Sequence, residues 1–195
     1  MLTINLKGKI RQKLLEFFFS TPGTRIYLRE LERQLVIPAG SLQRHLAQLE
    51  KEGILKSEWT GPLKYFSLNP QYPYFQELQS VILREQRKRE LEKNLKKLVR
   101  SLKENYQPEK IILFGSLASG RVSPDSDLDL LIVKKGLPQR YWDRVKEIAP
   151  FLLASGVGVD YVIWSPEELI QETGKNKFLK EEILEKGKIL YDRTV

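Results

Sequence analysis

Apolar positions along the chain change period several times, and each change marks a different kind of element. Ile10, Leu14, Leu15 and Phe18 recur at helical spacing and predict a first helix, which Thr21-Pro22-Gly23 stops. Leu28, Leu31 and Leu35 predict a second, short helix closed by Ile37-Pro38. Leu42, Leu46 and Leu49 mark a third, with Gly53 as the residue just past its end. The runs 54–59 and 64–68 then flank Thr60-Gly61-Pro62-Leu63, which reads as a hairpin. After Pro70 to Pro73, a long helix is predicted from Tyr74 to about Asn105, carrying Leu78, Val81, Ile82, Leu91, Leu95, Leu98 and Leu102. Its middle, residues 84–90, is almost wholly charged and predicts a solvent-bridging stretch. Arg87-Lys88-Arg89 reads there as a solvated face, with phosphate contact as the other reading. From Pro108 the pattern alternates between strand, turn and helix. Residues 110–114, 127–134 and 157–164 are strand-like, and residues 138–154 are helical. The tail closes on a helix-to-strand end at Gly187 to Tyr191.

Composition narrows the class. The 195 residues are 41% hydrophobic and 30% charged, which fits a globular protein of one domain or two small ones. No apolar run approaches the roughly 20 residues of a membrane span. The first eleven residues lack the apolar core of a signal peptide, and a cytoplasmic location is the plain expectation. Cysteine is absent and His45 is the single histidine, which excludes disulfides, thiolate sites and a histidine-based zinc site. The net charge of +8 is uneven: residues 1–70 carry +5, residues 71–107 carry +4 and residues 108–195 carry −1. An N-terminal excess of this kind suits nucleic acid, and equally a solvated basic face.

Candidate chemistry gathers in the C-terminal half. Asp127 and Asp129 stand two apart at the head of a strand-like run, so both carboxylates share one face. A divalent ion would relieve their repulsion, and hard oxygen ligands suit Mg²⁺. Gly115 and Ser116 follow another strand and precede a short helix, where glycine lets a phosphate approach and amide groups bind anions. Ser126 is expected to hydrogen-bond locally and hold the turn. Asp160 lies in residues 157–164, expected to be a buried strand, so it needs a partner in metal shared with the other acids; the alternatives are an exposed strand position, or a pair with Arg121 or Arg144.

Two resemblances organise these observations. Residues 41–55, Ser-Leu-Gln-Arg-His-Leu-Ala-Gln-Leu-Glu-Lys-Glu-Gly-Ile-Leu, resemble the recognition helix of winged-helix transcription regulators of the ArsR/MarR type, over about residues 8–70. The resemblance implies a third helix in the major groove. Ser41, Gln43, Arg44 and Gln48 then face DNA, and Lys56 and Lys64 touch phosphate from the wing. It also admits a homodimer, and a docking module in place of a DNA reader.

Residues 115–130 resemble the minimal (MNT) branch of the DNA polymerase β-like nucleotidyltransferase superfamily, over about residues 105–195. The pattern is Gly115-Ser116, ten intervening residues, Asp127-Leu128-Asp129, then Asp160. Many minimal members carry an arginine just before the glycine that is Gly120 here; Ser119 stands in that place and Arg121 follows. The resemblance implies two Mg²⁺ ions roughly 3.5–4 Å apart on Asp127, Asp129 and Asp160. It implies an NTP, in first place ATP, held by Gly115, Ser116, Ser126 and Arg121. It also implies transfer of NMP to a hydroxyl with release of pyrophosphate. The branch includes antitoxins, so a HEPN-type protein partner is a further expectation.

The expected organisation is α+β: a winged helix-turn-helix over 1–72, a linker helix over 73–106 and a nucleotidyltransferase fold with a small mixed sheet over 107–195. The rival expectation is a transcription regulator or antitoxin whose C-terminal domain senses NTP or docks a partner.

Overall fold

The computed structural model describes residues 8–193; the first seven residues of the expected first domain lie outside them. The chain divides into two compact units, one up to Gln86 and one from Arg87 onward.

The first unit runs α1 (Lys9–Ser20), β1 (Ile26–Tyr27), α2 (Leu28–Leu35), α3 (Ala39–Lys51), β2 (Leu55–Thr60) and β3 (Leu63–Leu68). Its sheet is antiparallel in the order β1-β3-β2. The two-residue β1 is too short to leave a periodic signal in the sequence. The turn of the hairpin is Gly61-Pro62, and Gly61 takes the φ of +57° that a tight hairpin demands. The end of α3 follows the Schellman pattern: Gly53 donates to the Glu50 carbonyl and Ile54 to that of Leu49. Leu14, Leu15, Phe18, Leu31, Leu42, Leu46 and Leu49 are fully buried together. Each such side chain contributes about 1.5–3 kcal/mol by leaving water. Arg11 of α1, itself buried, pairs with Glu52 just past α3. Burial alone would raise the Glu52 carboxyl, but hydrogen bonds from Arg11 and Gln48 bring it below the usual range.

A 27-residue helix, α4 (Phe75–Ser101), supplies apolar residues to both units. Leu78 and Ile82 join the first core; Leu91, Leu95 and Leu98 join a core of the second. The expected separate linker segment is therefore divided between the two units, because its apolar stripe continues on either side of the charged run. A π-helical turn, Leu102–Tyr106, ends it.

The second unit continues with β4 (Lys110–Phe114), α5 (Gly115–Ser119), β5 (Leu128–Val133), α6 (Tyr141–Leu153), β6 (Val159–Trp164), α7 (Pro166–Thr173) and β7 (Lys188–Asp192). The sheet order is β6-β5-β4-β7, with β5 and β6 parallel and both other pairings antiparallel. This is the small mixed sheet that was expected. The central strand β5 is buried on both faces: Leu128, Leu130 and Ile132 meet one core, Leu131 and Val133 the other. That explains its nearly unbroken apolar run. Strand β6 departs from expectation. It is an edge strand, only partly buried, and Asp160 is exposed. Water therefore solvates Asp160, which takes the exposed strand position of the alternative expectation and needs no partner on grounds of burial. Arg144 is not that partner: it makes a bidentate pair with Glu168 at 2.8 Å on each arm and holds that carboxyl below its usual range. Helix α7 was not foreseen, although Ser165 and Glu168 form a capping box at its start.

Among the described residues, no helix is long and apolar enough to cross a membrane.

Gly187 sits between the second π-helical turn (Leu179–Glu185) and β7. A Cβ there would overlap the Ile183 carbonyl oxygen and come within 2.7 Å of Ile112 Cγ2. Gly187→Ala should lower stability by about 1–3 kcal/mol, read from urea denaturation.

Candidate active site

Strand register sets two of the three acids side by side, and the third stands just before the same strand. On the parallel pair β5–β6, Asp129 is level with Asp160. On the antiparallel pair β4–β5, Asp129 is level with Phe114, so its carboxylate reaches the first turn of α5. There the Ser116 backbone N–H donates to it. Gly115 has φ +67°, and a Cβ on it would overlap Asp129 Oδ2 and lie 2.5 Å from Asp129 Cγ. Glycine is required at 115 on both counts. Asp127 lies just before β5, against Gly158, where an added Cβ would lie 2.5 Å from Asp127 Cγ. The Asp129 and Asp127 carboxylates thus occupy space that a neighbouring glycine leaves free.

Crowding has an electrostatic result. Burial pushes the Asp129 carboxyl up; the Ser116 amide pulls it down; the charges of Asp160 and Asp127 push it up again, and the net shift is upward. The part of that shift that comes from Asp160 and Asp127 reflects negative potential, which a cation would offset. The donors are all carboxylate oxygens, so the set fits a hard divalent ion such as Mg²⁺. Among the described residues, however, no three acidic or histidine side chains converge closely enough to hold one ion. Asp127 Oδ1 accepts a hydrogen bond from Arg87 Nη2 at 3.1 Å.

Arg87 is the residue that the sequence reading passed over. It was assigned to a solvated face, yet its side chain is only 20% exposed and its Nε donates to the Ser126 carbonyl at 2.8 Å. The signal was present. Arg87 stands four residues before Leu91, on the same helical stripe as Leu91, Leu95, Leu98 and Leu102.

The other expected nucleotide ligands divide. The Ser126 hydroxyl accepts from the Ser123 amide at 2.8 Å and closes the turn before Asp127. Ser116 spends its amide on Asp129, which leaves its hydroxyl as the group to offer a phosphate. Gly120 caps α5 with φ +75°, and the exposed Arg121 follows, its amide bonded to the Ser116 carbonyl. A cavity of about 630 Å³ adjoins Arg87, Gly158, Val159 and Tyr161.

A nucleotidyltransferase domain model matches residues 95–190. A protein of Methanocaldococcus jannaschii named "Putative protein adenylyltransferase" is 37% identical over 103 residues, which are 51% of this chain and 97% of that protein. The chain belongs to the nucleotidyltransferase family, a family of enzymes. A second M. jannaschii protein of the same name is 36% identical over 87 residues, 43% of this chain; the chain spans 58% of its length. A solved structure described as a "putative nucleotidyltransferase from Sulfolobus solfataricus" is 21% identical, with a TM-score of 0.43 over 57% of this chain and 89% of that one.

In the first unit, the residues expected to face nucleic acid also divide. Gln43, Arg44, Gln48 and Lys56 are exposed, and Ser41 is half-buried. Gln48 donates to Glu52 at 2.8 Å. Lys64 is paired with Glu50 at 2.8 Å, and this pair holds the Glu50 carboxyl below its usual range. The sequence reading missed Trp59 and Leu63, both exposed beside the hairpin turn.

The upward shift of Asp129 has a definite sign for stability. Its folded-state value lies above the ordinary 3.8, so the ionised carboxylate weakens the metal-free fold, and stability rises as pH falls through that folded value. Asp129→Asn keeps an acceptor for Ser116 and removes the charge. It should raise the Tm of the metal-free protein at pH 7, and the gain should disappear in a melting series carried below about pH 3.8.

Proposed function

We propose that the nucleotidyltransferase unit transfers a nucleoside monophosphate, AMP from ATP, to a hydroxyl group of a protein. One observation carries this reading: Asp129 is level with Asp160 on adjacent strands and pressed against Gly115 at the head of α5. The names of the two M. jannaschii relatives support ATP as donor and protein as acceptor.

Asp127, Asp129 and Asp160 would supply carboxylate oxygens, one or two at a time, to Mg²⁺ held together with the substrate phosphates; the ion would neutralise charge on those phosphates and lower the pKa of the attacking hydroxyl. Asp160 is exposed at the sheet edge, where an incoming hydroxyl can reach it and pass on its proton. Gly115 gives the phosphates close access to the backbone, and the Ser116 hydroxyl donates to a phosphate oxygen. Arg121 supplies a cation near the end of α5 for the leaving pyrophosphate. No histidine or cysteine nucleophile is required.

The first unit is read as a winged helix that carries the enzyme to DNA. Its order of three helices and a hairpin supports this, as does the exposure of Gln43, Arg44 and Lys56.

Incubation with ATP labelled on its α-phosphate, Mg²⁺ and the product of a neighbouring gene should label that protein. Asp127→Ala should cut labelling at least about 100-fold with an unchanged circular dichroism spectrum, since even the partners behind a metal ligand cost 10–100-fold. Wild-type labelling by Asp127→Ala would refute the assignment.

A gel shift with upstream DNA tests the winged helix. With two phosphate contacts, from Arg44 and Lys56, affinity should fall about 12-fold between 50 and 200 mM salt. A flat salt response would exclude DNA binding through basic side chains.

A further inference from the structure

Arg87 touches three oxygens, each with a different nitrogen. Nε donates to the Ser126 carbonyl at 2.8 Å, Nη1 to Glu90 Oε2 at 2.9 Å and Nη2 to Asp127 Oδ1 at 3.1 Å. Two of these oxygens belong to consecutive residues of the loop that presents Asp127. The guanidinium is largely enclosed, with its side chain 20% exposed, whereas Glu90 is half exposed. Asp127 Oδ1 is therefore closed in by Gly158 on one side and by a cation on another.

A hard metal ion needs carboxylate oxygens free of competing cations. A guanidinium arm on Oδ1 is such a competitor. It also relieves part of the repulsion among Asp127, Asp129 and Asp160 when no metal is present. Loss of the Nη2 contact would leave Arg87 anchored through Nε and Nη1, so exchange needs no movement of the helix.

We infer that Arg87 is a built-in counter-ion of the site, holding Asp127 in the metal-free protein and exchanging with the divalent ion for its Oδ1. This rests on the reading of Asp127 as a metal ligand. Arg87 is thus a positioning residue: it orients Asp127 and sets how tightly the site takes metal.

Mn²⁺ titration of the full chain, followed by electron paramagnetic resonance, tests this without any turnover. Arg87→Gln should bind Mn²⁺ about two- to fivefold more tightly than wild type, the range expected for loss of one partly exposed ion pair. Glu90→Gln frees Arg87 for Asp127 and should weaken binding about twofold. Asp127→Asn should remove the site in both backgrounds. Arg87→Lys separates the two roles, since lysine keeps the charge and loses the fork that anchors the loop. It should bind Mn²⁺ less tightly than Arg87→Gln. Equal or weaker binding by Arg87→Gln, with Asp127-dependent binding intact in wild type, would overturn the exchange alone. Should Arg87→Gln fail to fold, tighter or unchanged binding by Glu90→Gln would overturn it. Absence of Asp127-dependent Mn²⁺ binding in every protein would overturn the metal reading, and this inference with it.

Discussion

Like charge held at close quarters is the constraint on which the second unit turns. Asp129 is fixed by register against Asp160 and against the first turn of α5, and it remains there although burial and its neighbours resist its ionisation. Only a stiff frame can hold such an arrangement. The frame is β5, packed on both faces by leucine, isoleucine and valine. The glycines at 115 and 158 follow from the same constraint, since the carboxylates fill the volume that their side chains would need. Local rules are broken at the site and supported by regular packing around it.

Much of this arrangement was legible in the sequence. Strand β4 matches its expected residues, and β5, β6 and α6 differ from expectation only near their ends. Asp127 and Asp129 could be placed at the head of one strand because strand period is a local property, although that strand begins at Leu128 and Asp127 stands just before it. That Asp160 lies level with Asp129 could not be read so directly, because register between strands distant in sequence is a property of the whole sheet. The same limit explains the error over β6. Val157, Val159 and Val162 suggest burial, but position at the edge of a sheet is topology, not composition. Arg87 was missed for a different reason. A run of charged residues hides the one member that lies on the buried stripe, unless the stripe is extended through it.

The first unit shows a similar division between pattern and pairing. Its helices and hairpin follow from leucine spacing and a Gly-Pro turn. The fate of each polar side chain does not. Lys64 is taken by Glu50 and Gln48 by Glu52, whereas Gln43, Arg44 and Lys56 remain exposed. A count of basic residues therefore overstates the charge this surface can present, since part of it is neutralised within the fold.

Strand β6 carries one more consequence. An open sheet edge offers unpaired backbone groups to any other extended chain, and exposed charge on such a strand discourages that pairing. Asp160 is an exposed charge on this edge. The carboxylate proposed to receive the acceptor's proton would thus also oppose edge-to-edge pairing. An apolar replacement at position 160 would remove that charge and leave the edge more open to pairing with another extended chain.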